Sequence, residues 1–352
     1  MSHTTSLLKL ALNGLYHSGM YHLFRKRFSG RGVLLTLHHV TPQQQDAPFS
    51  PNRILNISPE FLDAVIALAR DLNIDIVSLD EFRRRLVRGG NGRRFVSFTL
   101  DDGYADNYLH AWPIFRKHKV PFTVYLCSGL MHGRLHLWWQ HLENTIRDRD
   151  HVEMTVGGQR FERVTGTTAQ KAQAFDEIYW ALRRAPLEQQ EGALQLLRER
   201  YPEHDQGSPT DNRPLTWAMV REMHDSGLLT VGAHTESHRA LSKLAAADVS
   251  REFEQNVDDI EKNAGVRPAH AAYPYGDAAS AGPREFDVAA RLGFATAVTT
   301  RKGVVFAEHA DHLHALPRVS LNGDYQRLKY VKLFLSGLPF ALSNRFRRVN
   351  VD

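Results

Sequence analysis

"FTLDDGY", residues Phe98–Tyr104, ends an apolar run with two adjacent carboxylates and a glycine. Asp101 and Asp102 repel each other when both are ionised, and on a regular strand neighbouring side chains face opposite sides. The pair can serve one site only where the strand breaks into a loop. Gly103 supplies that break. One carboxylate can then bind a cation while its neighbour stays free of it, and the ion's charge relieves the repulsion. The competing interpretation is a turn in which an Asp caps the following helix, "ADNYLHAW".

Working outward from this run, short β-branched segments alternate with helical patterns, the signature of parallel βα units. The segments are "VLLTLHHV" (33–40), "IDIVSL" (74–79), "RFVSFTL" (94–100), "PFTVYLC" (121–127), "LLTVGAH" (228–234), "AHAAYPY" (269–275), "FATAVTT" (294–300) and "LHALPRVS" (313–320). Eight candidate strands suggest an α/β barrel. Ser58 and Pro59 open one helix, and Ser78 with Glu81 has capping-box spacing ahead of another that Gly89 and Gly90 stop. Further helices are expected over Thr216–Met223 and Ala245–Asn263. Residues 141–213 break the rhythm: "VEMTVGGQRFERV" reads as a hairpin, followed by one long charged helix from about Thr168 to Tyr201. This stretch is expected to be an insertion, since alternation resumes after it.

The 352 residues are 42% hydrophobic and 24% charged, enough for a substantial core. Cys127 is the only cysteine, so a metal would have to be held by histidine and carboxylate, and a reducing compartment fits. The net charge of +5 is uneven. Residues 1–32 carry five cations and no acid, and residues 325–352 carry six cations against Asp352, which leaves an acidic body between basic ends. A nucleic-acid groove is not indicated. Three parts follow: a basic amphipathic segment (1–32), a barrel (33–324) and a second basic amphipathic segment (325–352). The end segments suit either docked terminal helices or peripheral contact with anionic lipid. Lys9 and Asn13 interrupt the first apolar stretch, a poor secretory signal, and no run of roughly 18 uncharged apolar residues occurs. The expected location is cytoplasmic, with a peripheral position on the inner membrane as the variant that the tails allow.

In a parallel barrel, chemistry gathers where strands end. "LLTVGA" ends in His234, with His238 four residues on in "HTESH", and "AHAA" ends in "YPYG". His234 and His238 on one helical turn could reach one ion, and an aspartate from another strand end completes a two-His, one-Asp set with open positions for water. Such an ion lowers the pKa of bound water towards about 7, and a free carboxylate beside it can take the proton.

"FTLDDGYADN", "HTESHRALSKL" and "AAYPYGD", in this order and spacing, resemble the polysaccharide deacetylase family, the NodB-homology group of carbohydrate esterases (family 4). The likeness extends to "LLTLHHV", "ISPEFLDAVIAL" and "LTWAMVREMHDSG", and covers roughly residues 33–320 apart from the insertion. It implies a deformed (β/α) barrel of about seven or eight parallel strands that removes acetyl groups from N-acetylated or O-acetylated sugars of a polysaccharide or glycan precursor. It further implies Asp101 as general base, Asp102, His234 and His238 as ligands of a divalent metal (Zn2+, with Co2+, Ni2+ or Mn2+ as alternatives), metal-bound water as nucleophile, and the Tyr275 backbone N–H as oxyanion donor.

There are four departures from the family pattern. Leu100 replaces a phenylalanine, Arg239 a proline, and Ala272 the arginine that usually partners the base; the C-terminal acid motif is missing. The acid for the leaving amine is open between His38, which is preferred, and His314, with His39 facing the other way. Trp138, Trp139 and Tyr273 could line a sugar groove or belong to the core. Two other functions stay in view: a non-catalytic saccharide-binding or scaffold barrel at a membrane surface, and a two-His, one-carboxylate metal enzyme of other chemistry.

Overall fold

The computed structural model describes residues 3–42, 48–90, 92–202 and 213–351. Each of the eight runs contains a strand of one parallel sheet: β1 (Gly32–Leu37), β2 (Asp75–Ile76), β3 (Phe95–Leu100), β4 (Phe122–Leu126), β5 (Leu229–Ala233), β6 (His270–Ala272), β7 (Thr296–Lys302) and β8 (Leu316–Ser320). Hydrogen bonding follows the order β1, β8, β7, β6, β5, β4, β3, and six pairs from Gly32↔Phe95 to Leu37↔Leu100 join β3 back to β1. Seven strands therefore close a barrel. β2 pairs only with the start of β3 and lies outside the closure.

Every residue of β1, β3 and β4 is buried, as expected for parallel strands covered on both faces. The closure is uneven: β6 has three residues and shares one pair, Ala271↔Ala233, with β5, and the β7–β8 register shifts between Val298 and Lys302. Leu34, Tyr125, Ala272, Val298 and Leu316 cluster together. The Tyr125 ring covers Gly232 so closely that a Cβ there would come within 2.3 Å of it. Outside the barrel, Phe98 and Phe122 pack on Phe115 of the helix after β3.

The caps form as read. Ser58, Ser78 and Thr216 each accept from the backbone N–H three residues on. Glu81 does not reach back to complete a capping box; it pairs with Arg84 and Arg85 instead. In the insertion the hairpin His151–Val156/Gln159–Val164 forms around Gly157 and Gly158. The single long helix does not. Two helices, Thr168–Arg184 and Leu187–Arg200, meet at Ala185–Pro186, because proline lacks the N–H and disfavours helical geometry in the residue before it. Residues 203–212 of the expected insertion lie outside the described residues.

The basic ends fold as helices His3–His17, Met20–Phe28, Leu328–Leu335 and Leu338–Ser343. They are pinned near the start of β3, where Arg94 donates to the carbonyls of Ser29 and Leu335, both at 2.7 Å. Residues 1, 2 and 352 of these segments are outside the described residues. No helix among the described residues is long and apolar enough to cross a membrane.

The contact between Tyr125 and Gly232 makes one position testable. Gly232→Ala should destabilise the protein by about 1–3 kcal/mol through overpacking, read as a lower midpoint in urea unfolding with little change in slope.

Candidate active site

Alternation along β3 sends Thr99 and then Asp101 to the interior, so on a straight strand Asp102 would point the other way. Asp102 instead adopts φ 75° and Gly103 φ 87°, which turns the chain sharply at the end of the strand. A side chain on Gly103 would meet Leu126 Cδ2 at 2.8 Å. Both carboxylates are thereby kept at the barrel end, each only 2% exposed. Neither caps the helix that follows, since no backbone N–H of its first turn bonds to them.

Asp101 is held by Arg318 from β8. Its Oδ1 and Oδ2 accept from the two terminal guanidinium nitrogens at 2.7 and 2.6 Å, while Arg318 Nε donates to the Thr299 carbonyl at 2.9 Å. Burial works to raise the Asp101 pKa, but the charge and hydrogen bonds of Arg318 lower it below the ordinary value. Asp101 therefore has a buried cationic partner. Ala272, where the family pattern has its arginine, is a small side chain in the cluster with Tyr125 and Leu316.

Asp102, His234 and His238 converge. One ligand atom from each lies within 4.8 Å of the others. Asp102 Oδ1 stands 3.3 Å from His234 Nε2 and 3.1 Å from His238 Nε2. His234 uses its other nitrogen, Nδ1, against the Ala272 carbonyl at 2.8 Å, and its backbone N–H donates to Asn256 Oδ1 at 3.0 Å. With the proton on Nδ1, its Nε2 lone pair faces a carboxylate oxygen. No donor hydrogen among the described residues is aligned on Asp102 Oδ1. The His234 Nε2 lone pair and the His238 Nε2, both beside one buried carboxylate oxygen, fit a cation between them, the ligand set of a divalent metal. For Asp102, burial works to raise the pKa, while neighbouring His238 and His234 hold it well below normal. For His234, burial acts to lower it, and the adjacent Asp102 carboxylate with the charge of Asp101 raises it.

Four of the eight non-glycine residues with left-handed backbone, among the described residues, belong to this site: Asp102, Thr235, His238 and Tyr275. Such strain persists only when surroundings over-determine it. Asn256 and Glu252 of the helix Ala246–Ala264 hold the histidine loop, Glu252 accepting from the Ser237 N–H at 2.8 Å. Tyr275 is braced from three sides. Its hydroxyl accepts from Trp138 Nε1 at 2.9 Å, Arg183 lies 3.8 Å over its ring, and its carbonyl accepts from Thr300. Its backbone N–H has no acceptor among the described residues.

Of the two acid candidates, His38 is at the site, with Nε2 4.0 Å from Asp101 Oδ2. Burial lowers its pKa, and the aspartate charges oppose that only in part. His39 does face away, bonded to buried Asp106 at 2.5 Å. His314 precedes β8 and bonds to the Phe294 carbonyl just before β7, at the opposite end of the strands. Trp138 and Trp139 border a cavity of about 610 Å³ beside His238 and Tyr275, walled by Leu194 and Gln190 of the insertion. Tyr273 does not reach it; fully buried, it packs on Phe253 and Phe286 and bonds to the His314 carbonyl. Arg239 reaches to Glu191 of the insertion at 2.5 Å.

Arg318 and Arg183 were missed in the sequence. A signal for Arg318 existed: in "LPRVS" it alternates with Leu316 on the inner face of a buried strand, where a charge requires a partner. Nothing in the local pattern marks Arg183, which bridges from the insertion to Asp277 and Ser280.

The polysaccharide deacetylase family model matches residues 88–297, more than half of the chain and inclusive of the Asp pair, both histidines and Tyr275. The chain belongs to the polysaccharide deacetylase family, hydrolases that act on carbon–nitrogen bonds other than peptide bonds, in the amides of sugars. In fold it is similar to the Streptococcus pyogenes deacetylase PplD, solved in complex with acetate, at a TM-score of 0.56 and 18% identity over 86% of this chain and 97% of that one. It is similar also to IcaB from Ammonifex degensii (TM-score 0.55, 18% identity, 87% and 97% covered) and to a de-N-acetylase from Aggregatibacter actinomycetemcomitans (0.55, 15%, 86% and 99%). No curated protein is significantly similar in sequence.

Because Arg318 neutralises a fully buried carboxylate, Arg318→Met should destabilise the fold by about 3–5 kcal/mol, and adding Asp101→Asn should restore much of that. Denaturant unfolding of the two single variants and the double variant checks this.

Proposed function

We propose that the protein removes acetyl groups from N-acetylated sugars of a polysaccharide or glycan precursor, with Asp101 as general base and a divalent metal, zinc before cobalt, nickel or manganese, held by Asp102, His234 and His238. The observation that carries this reading is the division of labour between adjacent carboxylates: Asp101 is committed to Arg318, and Asp102 to the two imidazoles. When bound, the ion would supply Lewis acidity, polarising the acetyl carbonyl and acidifying water beside it.

Asp101, kept ionised by Arg318, takes a proton from the attacking water as its oxygen bonds to the acetyl carbon. The Tyr275 backbone N–H stabilises negative charge as it develops on the carbonyl oxygen. His38 donates a proton to the departing nitrogen as the carbon–nitrogen bond breaks, leaving acetate and a free amine. The 4.0 Å from His38 to Asp101 lets one water return the proton between them. Trp138 and Trp139 line the cavity that would receive the sugar, giving it an apolar wall. The acetate bound to PplD, a structural relative, is the product this reaction would release. An oxygenase using the same ligands would have no task for an arginine-clamped second aspartate.

Acetate release from acetylated glucosamine oligomers, followed by a coupled assay, should fall by roughly 10²–10⁴-fold in Asp101→Asn while metal content stays at the wild-type level. Undiminished release by that variant would remove Asp101 as base. Chelation should abolish turnover and added zinc restore it. Asp102→Ala should purify with little metal, measured by plasma mass spectrometry, whether or not an assay is run.

A further inference from the structure

The outward face of the first helix is inverted relative to that of a docked amphipathic helix. Helix His3–His17 turns Leu12 inward, lays Lys9 over the Tyr325 ring at 5.7 Å and bonds Asn13 to the Tyr330 hydroxyl at 3.2 Å. Its only Lys or Arg thus points towards the protein. The face it presents outward is Leu7, Leu10, Ala11 and Gly14, without charge, and Leu7 and Leu10 are 67% and 68% exposed. A surface helix normally shows the reverse.

The patch continues across two further segments. Tyr16 stacks on Tyr21 to join the first helix to the second, where Leu23 is 79% exposed and Phe24 also reaches solvent. Phe28 then packs on Phe346, which brings exposed Leu342 and Phe346 of the C-terminal segment alongside. Lys26, Arg27, Arg345 and Arg348 lie exposed on these same segments, and residues 1–32 and 325–351 contain no acidic side chain. Arg348 has a partner from elsewhere, Glu308 at 2.9 Å.

We propose that this surface docks the protein on a bilayer containing anionic lipid, with the apolar strip of the tail helices at the acyl boundary and the cations among the headgroups. Charge complementarity selects this occupant. A second copy of the chain, paired face to face about a two-fold axis, would set the same cations against one another. An anionic interface instead meets apolar and cationic groups together. The inference is independent of the deacetylation chemistry, since the surface shares no residue with the metal cluster or its aspartate pair.

The test is co-sedimentation of the full-length chain with phosphatidylglycerol–phosphatidylcholine vesicles and with phosphatidylcholine vesicles alone, at physiological salt. Binding is expected to the anionic vesicles and to weaken as salt rises. A Leu7→Ser, Leu10→Ser, Leu23→Ser variant and a Lys26→Glu, Arg27→Glu variant should each lower the partition coefficient at least about tenfold. Both variants should retain wild-type thermal unfolding and wild-type metal content, because the changed side chains are exposed. Absence of binding to anionic vesicles, or binding that neither variant weakens, would overturn the proposal. So would a concentration-dependent dimer in sedimentation velocity that the serine variant dissolves while vesicle binding is absent. Failure of acetate release, by contrast, would leave this surface untouched.

Discussion

Two carboxylates side by side in a site nearly closed to water must each find a positive partner, and the architecture around the barrel end follows from that requirement. An uncompensated buried charge costs several kcal/mol, and two at adjacent positions would also repel. Arg318 answers for Asp101, and it can do so only because β8 and β3 both pair with β1, so that the arginine and the aspartate approach from either side of one strand. His234 and His238 answer for Asp102 from the far side of β4. Closure of the sheet is thus what makes the pair tolerable.

The same geometry is held under strain. Asp102, Thr235, His238 and Tyr275 all occupy a backbone region that side chains disfavour, and the histidine loop and Tyr275 are braced from behind by Asn256, Glu252 and Arg183. The insertion takes part in this support: Arg183 lies over Tyr275, and Glu191 meets Arg239 beside His238. A segment that interrupts the barrel in sequence therefore supports the barrel's site and forms one wall of its cavity.

Periodicity, capping and motif spacing made much of this legible beforehand. Eight strand runs were visible because parallel strands buried on both faces read as continuous apolar stretches. The convergence of Asp102, His234 and His238 was visible because the histidines lie four apart and the aspartate pair sits at a glycine break. The split of the insertion helix was legible in principle, since Pro186 marks it, but a long charged pattern obscured the proline. Tyr273 misled because an aromatic next to a site motif says nothing about which side of the strand it faces.

Local chemistry, then, was set by the sequence: where the chain must break, which residues can bind an ion, and which stretches must be buried. Tertiary structure alone decided the rest. At Ala272 the motif shows no arginine, and the cation beside Asp101 comes instead from Arg318, more than two hundred residues later. No spacing rule could announce that pairing, because contact between β3 and β8 residues exists only once β1 has joined both strands into a ring.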